Sequence, residues 1–309
     1  MLLSFTPNPA IDRVLIVPGF RSAEVCRVAE RRDAAGGKGL NVVRVARTLG
    51  APVRACAPLA GDTGRRIAAL AAAEGIDARW HWLAEGESRI CLLVLDPQVP
   101  DTLVINEPGP SLAAADWVAL EALVRAEAAH ATAFAASGSL LPGAPVARFV
   151  ALLEALCADR PVFLDTSGGA LSAALDLPLA LLKVNAHELG DALGRAIATP
   201  EDARSAAALV RTRGPAMVIV TLGKAGAVAV GPDGAWWARP PEVRLISPVG
   251  SGDALLAGAA TALMQGHGLV EALRLGVACG AANTLTIGAG VVRPEDVAAL
   301  YAAVVLTRV

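Results

Sequence analysis

The string VGSGDALLAG, residues 249–258, sets a carboxylate, Asp253, directly after a glycine-flanked turn and directly before an apolar run. Successive glycines let backbone N–H groups converge on one point, and a helix starting near Asp253 adds its positive end. Gly250, Ser251 and Gly252 are therefore candidates for an anion hole. A carboxylate in the same turn can take a proton from an attacking hydroxyl, and charge-stabilising donors beside a base describe phosphoryl transfer. The alternative is that Asp253 only caps the helix.

Two further strings carry suitable groups. AAGGKGLN, residues 34–41, combines a glycine pair that lets a ligand approach the backbone, the cation of Lys38 and the donor–acceptor amide of Asn41. It also reads as a glycine turn entering a helix. TPNPAID, residues 6–12, ends a strand and delivers Asp12, either as an acceptor for two sugar hydroxyls or as a turn residue. Other nucleotide and hydrolase signatures are missing: there is no third glycine for a dinucleotide fingerprint after Gly250, no G-x-x-x-x-G-K-[ST], no H-E-x-x-H and no G-x-S-x-G. The histidines, His81, His130, His187 and His267, have no metal-ligand spacing and read as surface or structural residues.

The elements that must position these groups alternate. Strands are expected at 1–7, 53–61, 131–139, 161–167, 179–185 and 216–223, and helices at 39–50, 64–75, 146–158, 201–214, 253–265 and 271–284. This alternation predicts an α/β fold with a mainly parallel sheet covered by helices on both faces. Its ligand-binding turns then lie at strand carboxyl ends, in TPNPAID, AGD, SGS, DTSGG, KVNAHE, TLGKAG and VGSGD. The last third reads as mostly helical. Segments 11–20, 24–34 and 88–109 read as strands without helices between them, a small secondary sheet in which PQVPD (97–101) is a hairpin turn.

The 309 residues are 54% hydrophobic, 18% charged and 4% aromatic, rich in Ala, Leu and Val, which suits close-packed helices on a sheet. A net charge of −2 gives no basic surface for nucleic acid. The cysteines, Cys26, Cys56, Cys91, Cys157 and Cys279, are scattered and odd in number, which fits a reducing compartment and not a zinc site. No leader pattern and no apolar run of about 18 residues occurs, so a soluble cytoplasmic protein with no membrane partner is expected.

Taken together, TPNPAID, EVCRV, AGGKGLNVVRV, AGDTG, ESRI, NEPGP, SGSLLPG, LDTSGGAL, KVNAHEL, TLGKAGA and SPVGSGDALLAG resemble the PfkB (ribokinase-like) carbohydrate kinases, in order and over nearly the whole chain. Among these the likeness is greatest to bacterial 1-phosphofructokinases and tagatose-6-phosphate kinases. The resemblance implies a single ribokinase-like domain over 1–309, doubly wound, with a small β lid formed by segments near 11–35 and 88–109 that also supplies a homodimer contact. It implies ATP and Mg²⁺ as cofactors and leaves a monovalent cation open. Asp253 would be the base, and Gly250, Ser251 and Gly252 the anion hole. Asp12, Gly36, Gly37 and Asn41 would hold the sugar. Lys183, Asn185, Thr221, Gly223, Lys224 and Gly226 would lie along ATP, with Asn283 near the adenine. Asn185 and Glu188 match an N-x-x-E pattern that holds Mg²⁺ indirectly, through water.

A phosphosugar needs fixed cations, and Arg27, Lys38 and Arg89 fall in strings expected at the lid and site mouth, with Ser139 as a phosphate donor. The expected reaction is ATP-dependent phosphorylation of fructose 1-phosphate to fructose 1,6-bisphosphate. Tagatose-6-phosphate kinase, a ribose or nucleoside kinase of the same fold, and a non-catalytic nucleotide-binding scaffold are the alternatives. The chain departs from the family's usual residues at Cys26, Leu141, Val184, His187 and Ala254, none of which removes a charged group from the site.

Overall fold

A computed structural model describes residues 1–21, 24–98 and 102–309. The strands are β1 (Leu2–Phe5), β2 (Ala10–Ile16), β3 (Glu30–Gly36), β4 (Val53–Leu59), β5 (Ala78–Trp82), β6 (Arg89–Leu95), β7 (Thr102–Asn106), β8 (Ala133–Ser137), β9 (Val162–Asp165), β10 (Leu181–Asn185), β11 (Val218–Thr221), β12 (Ala227–Gly231), β13 (Gly234–Arg239) and β14 (Val305–Arg308). The helices are α1 (Lys38–Thr48), α2 (Gly61–Ala73), α3 (Ala114–Ala128), α4 (Val146–Cys157), α5 (Gly168–Ala174), α6 (Ala186–Leu193), α7 (Pro200–Arg211), α8 (Ser251–Met264), α9 (Leu269–Asn283) and α10 (Pro294–Ala303).

The main sheet has ten strands in the order β14-β13-β12-β11-β10-β9-β8-β1-β4-β5. Pairing is parallel from β5 to β11 and antiparallel from β11 to β14. Strand side chains alternate between its faces, and both faces are buried. Leu2, Ala55, Ala133, Phe163, Leu181 and Ile219 pack against α1, α2, α8, α9 and α10. Their neighbours Leu3, Cys56, Phe134, Leu164, Leu182 and Val220 pack against α3, α4, α5, α6 and α7. The doubly wound α/β reading holds.

A separate four-stranded sheet runs β3-β2-β6-β7, with β2 parallel to β6 and the other pairs antiparallel. Val14, Leu93 and Leu95 on its inner face pack against Val249 and Ile287 of the main body.

The structure corrects several expectations. Strand β3 starts at Glu30, and residues 24–29 have no regular structure, so EVCRV is not a strand. The PQVPD turn falls partly outside the described residues, although Leu95 does pair with Thr102. The last third is not mostly helical: β12, β13 and β14 form its antiparallel edge. VGSGD follows an irregular stretch, 240–250, rather than a strand. Strand β5 and helices α3, α5, α6 and α10 were not anticipated.

Candidate active site

In the main sheet the chain runs outward in opposite directions from β1, to β4 on one side and to β8 on the other. Such a switch leaves a crevice at the strand carboxyl ends. A cleft of about 960 Å³ occupies this place. Its floor comes from the ends of β8, β9, β10 and β11 and from the first turns of α1 and α8, and the small sheet contributes Arg89, Cys91, Leu93, Val104 and Asn106.

Helices α1 and α8 both begin at glycines with positive φ. Gly37 caps α1 at φ 102° and Gly250 caps α8 at φ 85°. A Cβ on Gly250 would also stand 2.7 Å from the backbone of Ala289 and Gly290. First-turn amides of a helix have no intrahelical acceptor, so those of Gly252 and Asp253 are available to a ligand. The Ser251 amide donates to the Pro248 carbonyl at 3.3 Å, which makes it the weaker donor of the turn.

Asp253 lies in the first turn of α8, lines the cleft and is 6% exposed. The Asn41 amide, from α1, donates to its Oδ2 at 2.8 Å. Burial pushes the Asp253 carboxyl up to about 6, and the charge of Asp165 adds to this, while Lys38, Lys183 and Asn41 oppose it. The carboxylate therefore has the basicity that general-base catalysis near neutral pH requires. Asp12, on β2, is also buried. Burial raises its pKa against the pull of Arg44, Arg89, the Gly37 amide and Asn41.

Beneath the 250–252 turn lies a chain of charges. Lys38 Nζ donates to Asp165 Oδ1 at 2.9 Å and to Glu188 Oε1 at 3.4 Å, and Lys183 Nζ donates to Asp165 Oδ2 at 2.5 Å. Burial works to ionise less of Asp165, but the two lysines outweigh it and hold the carboxyl below the ordinary range. Burial also lowers Lys38, and Asp165, Asp253 and Glu188 more than offset that, lifting it well above the usual lysine range. A Cβ on Gly252 would come within 2.7 Å of Lys183 Nζ, so this ammonium stands directly behind the turn. Asn185 and Glu188 form a capping box on α6: Asn185 Oδ1 accepts from the Glu188 amide at 2.8 Å and Glu188 Oε2 from the Asn185 amide at 3.0 Å. Among the described residues no group of three or more His, Cys, Asp or Glu could cage a metal ion. Both Asn185 and Glu188 line the cleft, and the donor set fits a cation held chiefly by its ligand's own oxygens.

The chain matches the model of the pfkB family carbohydrate kinases over residues 8–296. It belongs to the PfkB family. The 1-phosphofructokinase of Rhodobacter capsulatus is 35% identical over 295 residues, 95% of this chain and 93% of that one. The ATP-dependent 6-phosphofructokinase isozyme 2 of Mycobacterium tuberculosis is 32% identical over 299 residues, 96% and 87% of the two chains. A crystal structure of phosphofructokinase-2 from Escherichia coli in complex with substrates and products superposes with a TM-score of 0.90 at 29% identity, covering 98% of each chain. The protein is an ATP-dependent sugar kinase.

In this PfkB kinase the cleft gathers most of the residues singled out from the sequence: Asp12, Gly37, Lys38, Asn41, Arg89, Ser139, Lys183, Asn185, Glu188, Thr221, Gly223, Lys224, Gly226, Gly250, Ser251, Gly252 and Asp253. Three others lie elsewhere. Arg27 is exposed on the irregular stretch before β3 and does not line the cleft of its own chain. Gly36 touches no cleft surface, and a Cβ there would overlap the Asp12 carboxylate, so its role is to leave room for that group. Asn283 is fully buried and bonded to backbone and to the Ser251 hydroxyl, to which its Nδ2 donates at 3.4 Å. Its Nδ2 donates to the Val249 carbonyl at 2.8 Å and its Oδ1 accepts from the Gly290 amide at 2.8 Å. It pins the start of α8 to the 289–291 loop and leaves Val243, Val277, Ala281 and Thr284 as the cleft wall at that end. Arg89 lines the cleft while donating to the Asn8 carbonyl at 3.0 Å and the Glu107 carbonyl at 3.1 Å.

Two residues escaped sequence reasoning. Asp165 stands inside LDTSGGAL at the end of β9, in a turn expected to face ligand, but its lysine partners are 127 and 18 positions away. Arg44 sits one helical turn after Asn41, the i,i+3 spacing that brings two side chains together.

Proposed function

We propose that the chain transfers the γ-phosphoryl group of ATP to the 6-hydroxyl of fructose 1-phosphate, forming fructose 1,6-bisphosphate. The observation that carries this reading is Asp253, a buried carboxylate with raised pKa that faces the cleft beside the α8 amides and two lysines. In this reading Asp12 and Asn41 hold the sugar hydroxyls, aided by the Gly37 backbone. Arg89, Lys38 and Ser139 take the phosphate the sugar already carries. Asp253 removes the proton of the attacking hydroxyl, its oxygen bonds to phosphorus, and the bond to ADP breaks. Amides of the 250–252 turn, with Lys183 behind them, stabilise the charge on the transferred group. Asn185, Thr221, Gly223, Lys224 and Gly226 run along ATP. When bound, Mg²⁺ neutralises charge on the phosphate oxygens, and Asn185 and Glu188 would hold it through water.

The small sheet, from segments near 11–35 and 88–109, acts as a lid on a single kinase unit spanning 1–309. Its outer face is the proposed homodimer contact. All five cysteines are free, in keeping with a reducing cytoplasm, and no described helix is long and apolar enough to cross a membrane.

A second reading, phosphorylation of fructose 6-phosphate at its 1-hydroxyl, draws support from the 6-phosphofructokinase isozyme 2 relative. A coupled assay of ADP release with fructose 1-phosphate, fructose 6-phosphate, tagatose 6-phosphate and ribose separates these. Fructose 1-phosphate is expected to give the highest kcat/KM. A preference for fructose 6-phosphate or tagatose 6-phosphate replaces the substrate, and turnover of ribose alone removes the phosphosugar assignment.

A further inference from the structure

Arg44 makes more connections than its place on α1 requires. One terminal nitrogen donates to Asn41 Oδ1 at 2.9 Å and to the Ala289 carbonyl at 2.9 Å. The other donates to the Ala35 carbonyl at 2.6 Å and to Glu74 Oε1 at 3.2 Å, and Nε donates to Glu74 Oε2 at 2.7 Å. Glu74 Oε1 in turn accepts from the Ala35 amide at 3.3 Å. Both backbone groups of Ala35 are thus clasped by the Arg44–Glu74 pair, at the point where β3 of the small sheet runs into the turn before α1. The same guanidinium reaches the 289–291 loop that Asn283 ties to the turn before α8.

A guanidinium has donors and no acceptor. The oxygen of the Asn41 amide must therefore face Arg44, and its NH₂ must face the other way, where Asp253 Oδ2 lies at 2.8 Å. Without Arg44 the orientation would rest on Asp253, which repels the amide oxygen when ionised but accepts either face of the amide when protonated.

We propose that Arg44 is a positioning residue for phosphoryl transfer. It fixes the Asn41 amide with its NH₂ toward the proton-accepting carboxylate of Asp253, and it couples that orientation to the strand joining the small sheet to α1. The proposal rests on Asp253 being the base. It extends to Asp12, which both Arg44 and Asn41 favour in its ionised form. Around Asp253 the other charged groups are Lys38, Lys183 and Asp165, and around Asp12 they are Arg44 and Arg89. None of these other than Arg44 changes in the test.

The test compares wild type with Arg44→Met, Arg44→Lys, Asn41→Ala, the double variant Arg44→Met/Asn41→Ala, and Asp253→Asn. Steady-state rates are measured across pH with whichever phosphosugar of the panel above the wild type turns over, and thermal unfolding is followed in parallel. Arg44→Met is expected to lower kcat about 10- to 100-fold, the scale of a small misplacement of a reacting group. The acidic limb of its kcat/KM profile should move to higher pH, because Asp12 loses the charge of Arg44 and Asp253 loses the fixed orientation of its Asn41 donor. The substrate's own phosphate titrates identically in every variant and cancels from the comparison. Arg44→Lys, which keeps the charge but lacks the five-donor fork, should fall between. In the Asn41→Ala background the Arg44 change should cost less than about twofold, because it then has no amide to orient.

A wild-type pH profile and kcat in the folded fraction of Arg44→Met, with only the unfolding temperature lowered, overturns the proposal, as does full multiplicativity in the double variant. Should Arg44→Met fail to fold, Arg44→Lys is read by the same two criteria. Near-normal kcat in Asp253→Asn removes the base assignment and this proposal with it. Loss of rate in Asp253→Asn with no effect at Arg44 removes this proposal alone.

Discussion

An aspartate with its carboxyl pushed from 3.8 up to about 6 in the fold binds a proton more tightly folded than unfolded. Between those two values the folded state carries more protons, so stability falls as pH rises through that window and the loss is complete above it. At about 1.4 kcal/mol per unit, ionised Asp253 costs the fold about 2–3 kcal/mol at pH 8. Asn at this position does not titrate and can still accept from Asn41. Asp253→Asn is therefore expected to be more stable than wild type to denaturant at pH 8 and nearly equal to it near pH 4, while kcat falls by about 10²–10⁴. Equal stability of the two proteins at pH 8 would mean that the carboxylate is not desolvated in the apo cleft. This residue was legible in the sequence because VGSGD occurs together with AAGGKGLN and TPNPAID, which a helix cap alone does not explain. Asn283 could not be placed in the same way: a buried asparagine spends its amide on whichever groups the tertiary fold brings to it, here the Val249 carbonyl and the Gly290 amide.

At the scale of elements, the site is where the starts of α1 and α8 meet over the ends of the parallel strands. Gly250 sits in the left-handed region at φ 85°, where a side chain costs about 1 kcal/mol. Its added Cβ would press on backbone at 2.7 Å, which cannot yield as a flexible side chain does. Gly250→Ala should displace the turn, lower kcat at least about 10-fold and reduce the unfolding temperature by a few degrees. Circular dichroism should stay native at 25 °C. Unchanged kcat would remove the turn from the chemistry. The parallel strands and most helices could be read from runs of apolar residues closed by glycine. The antiparallel edge β12–β13–β14 could not, since GPDGAWWARP carries its signal in a turn and in tryptophans that also suit a loop. Strand β3 was placed too early because the apolar residues of EVCRV suggest a strand, whereas the pairing with β2 begins only at Glu30, which faces Ile16.

At the scale of the molecule, one face of the small sheet has no cover among the described residues. Register places Leu92 opposite Ile105, Val94 opposite Leu103, Leu15 opposite Val94 and Arg13 opposite Leu92, all on the face away from the cleft. Leu103 is 43% and Ile105 48% exposed. Beside them Asp33 takes ion pairs from Arg13 and Arg31. An apolar stripe edged by both signs of charge can meet a copy of itself across a two-fold axis, with each stripe covering the other. The resulting dimer would leave both clefts open, because the cleft lies on the opposite face, which holds Cys91, Leu93, Val104 and Asn106. Replacing Leu103 and Ile105 together by aspartate sets two carboxylates against their symmetry mates and should convert a dimer to a monomer in sedimentation velocity at micromolar protein. Because β7 is an edge strand outside the main core, the unfolding temperature should change little. The KM for the phosphosugar is expected to rise more than that for ATP, since the same sheet carries Arg89 and Asp12 into the cleft. A wild type that sediments as a monomer would remove the dimer, and a variant that stays dimeric would place the subunit contact on another surface.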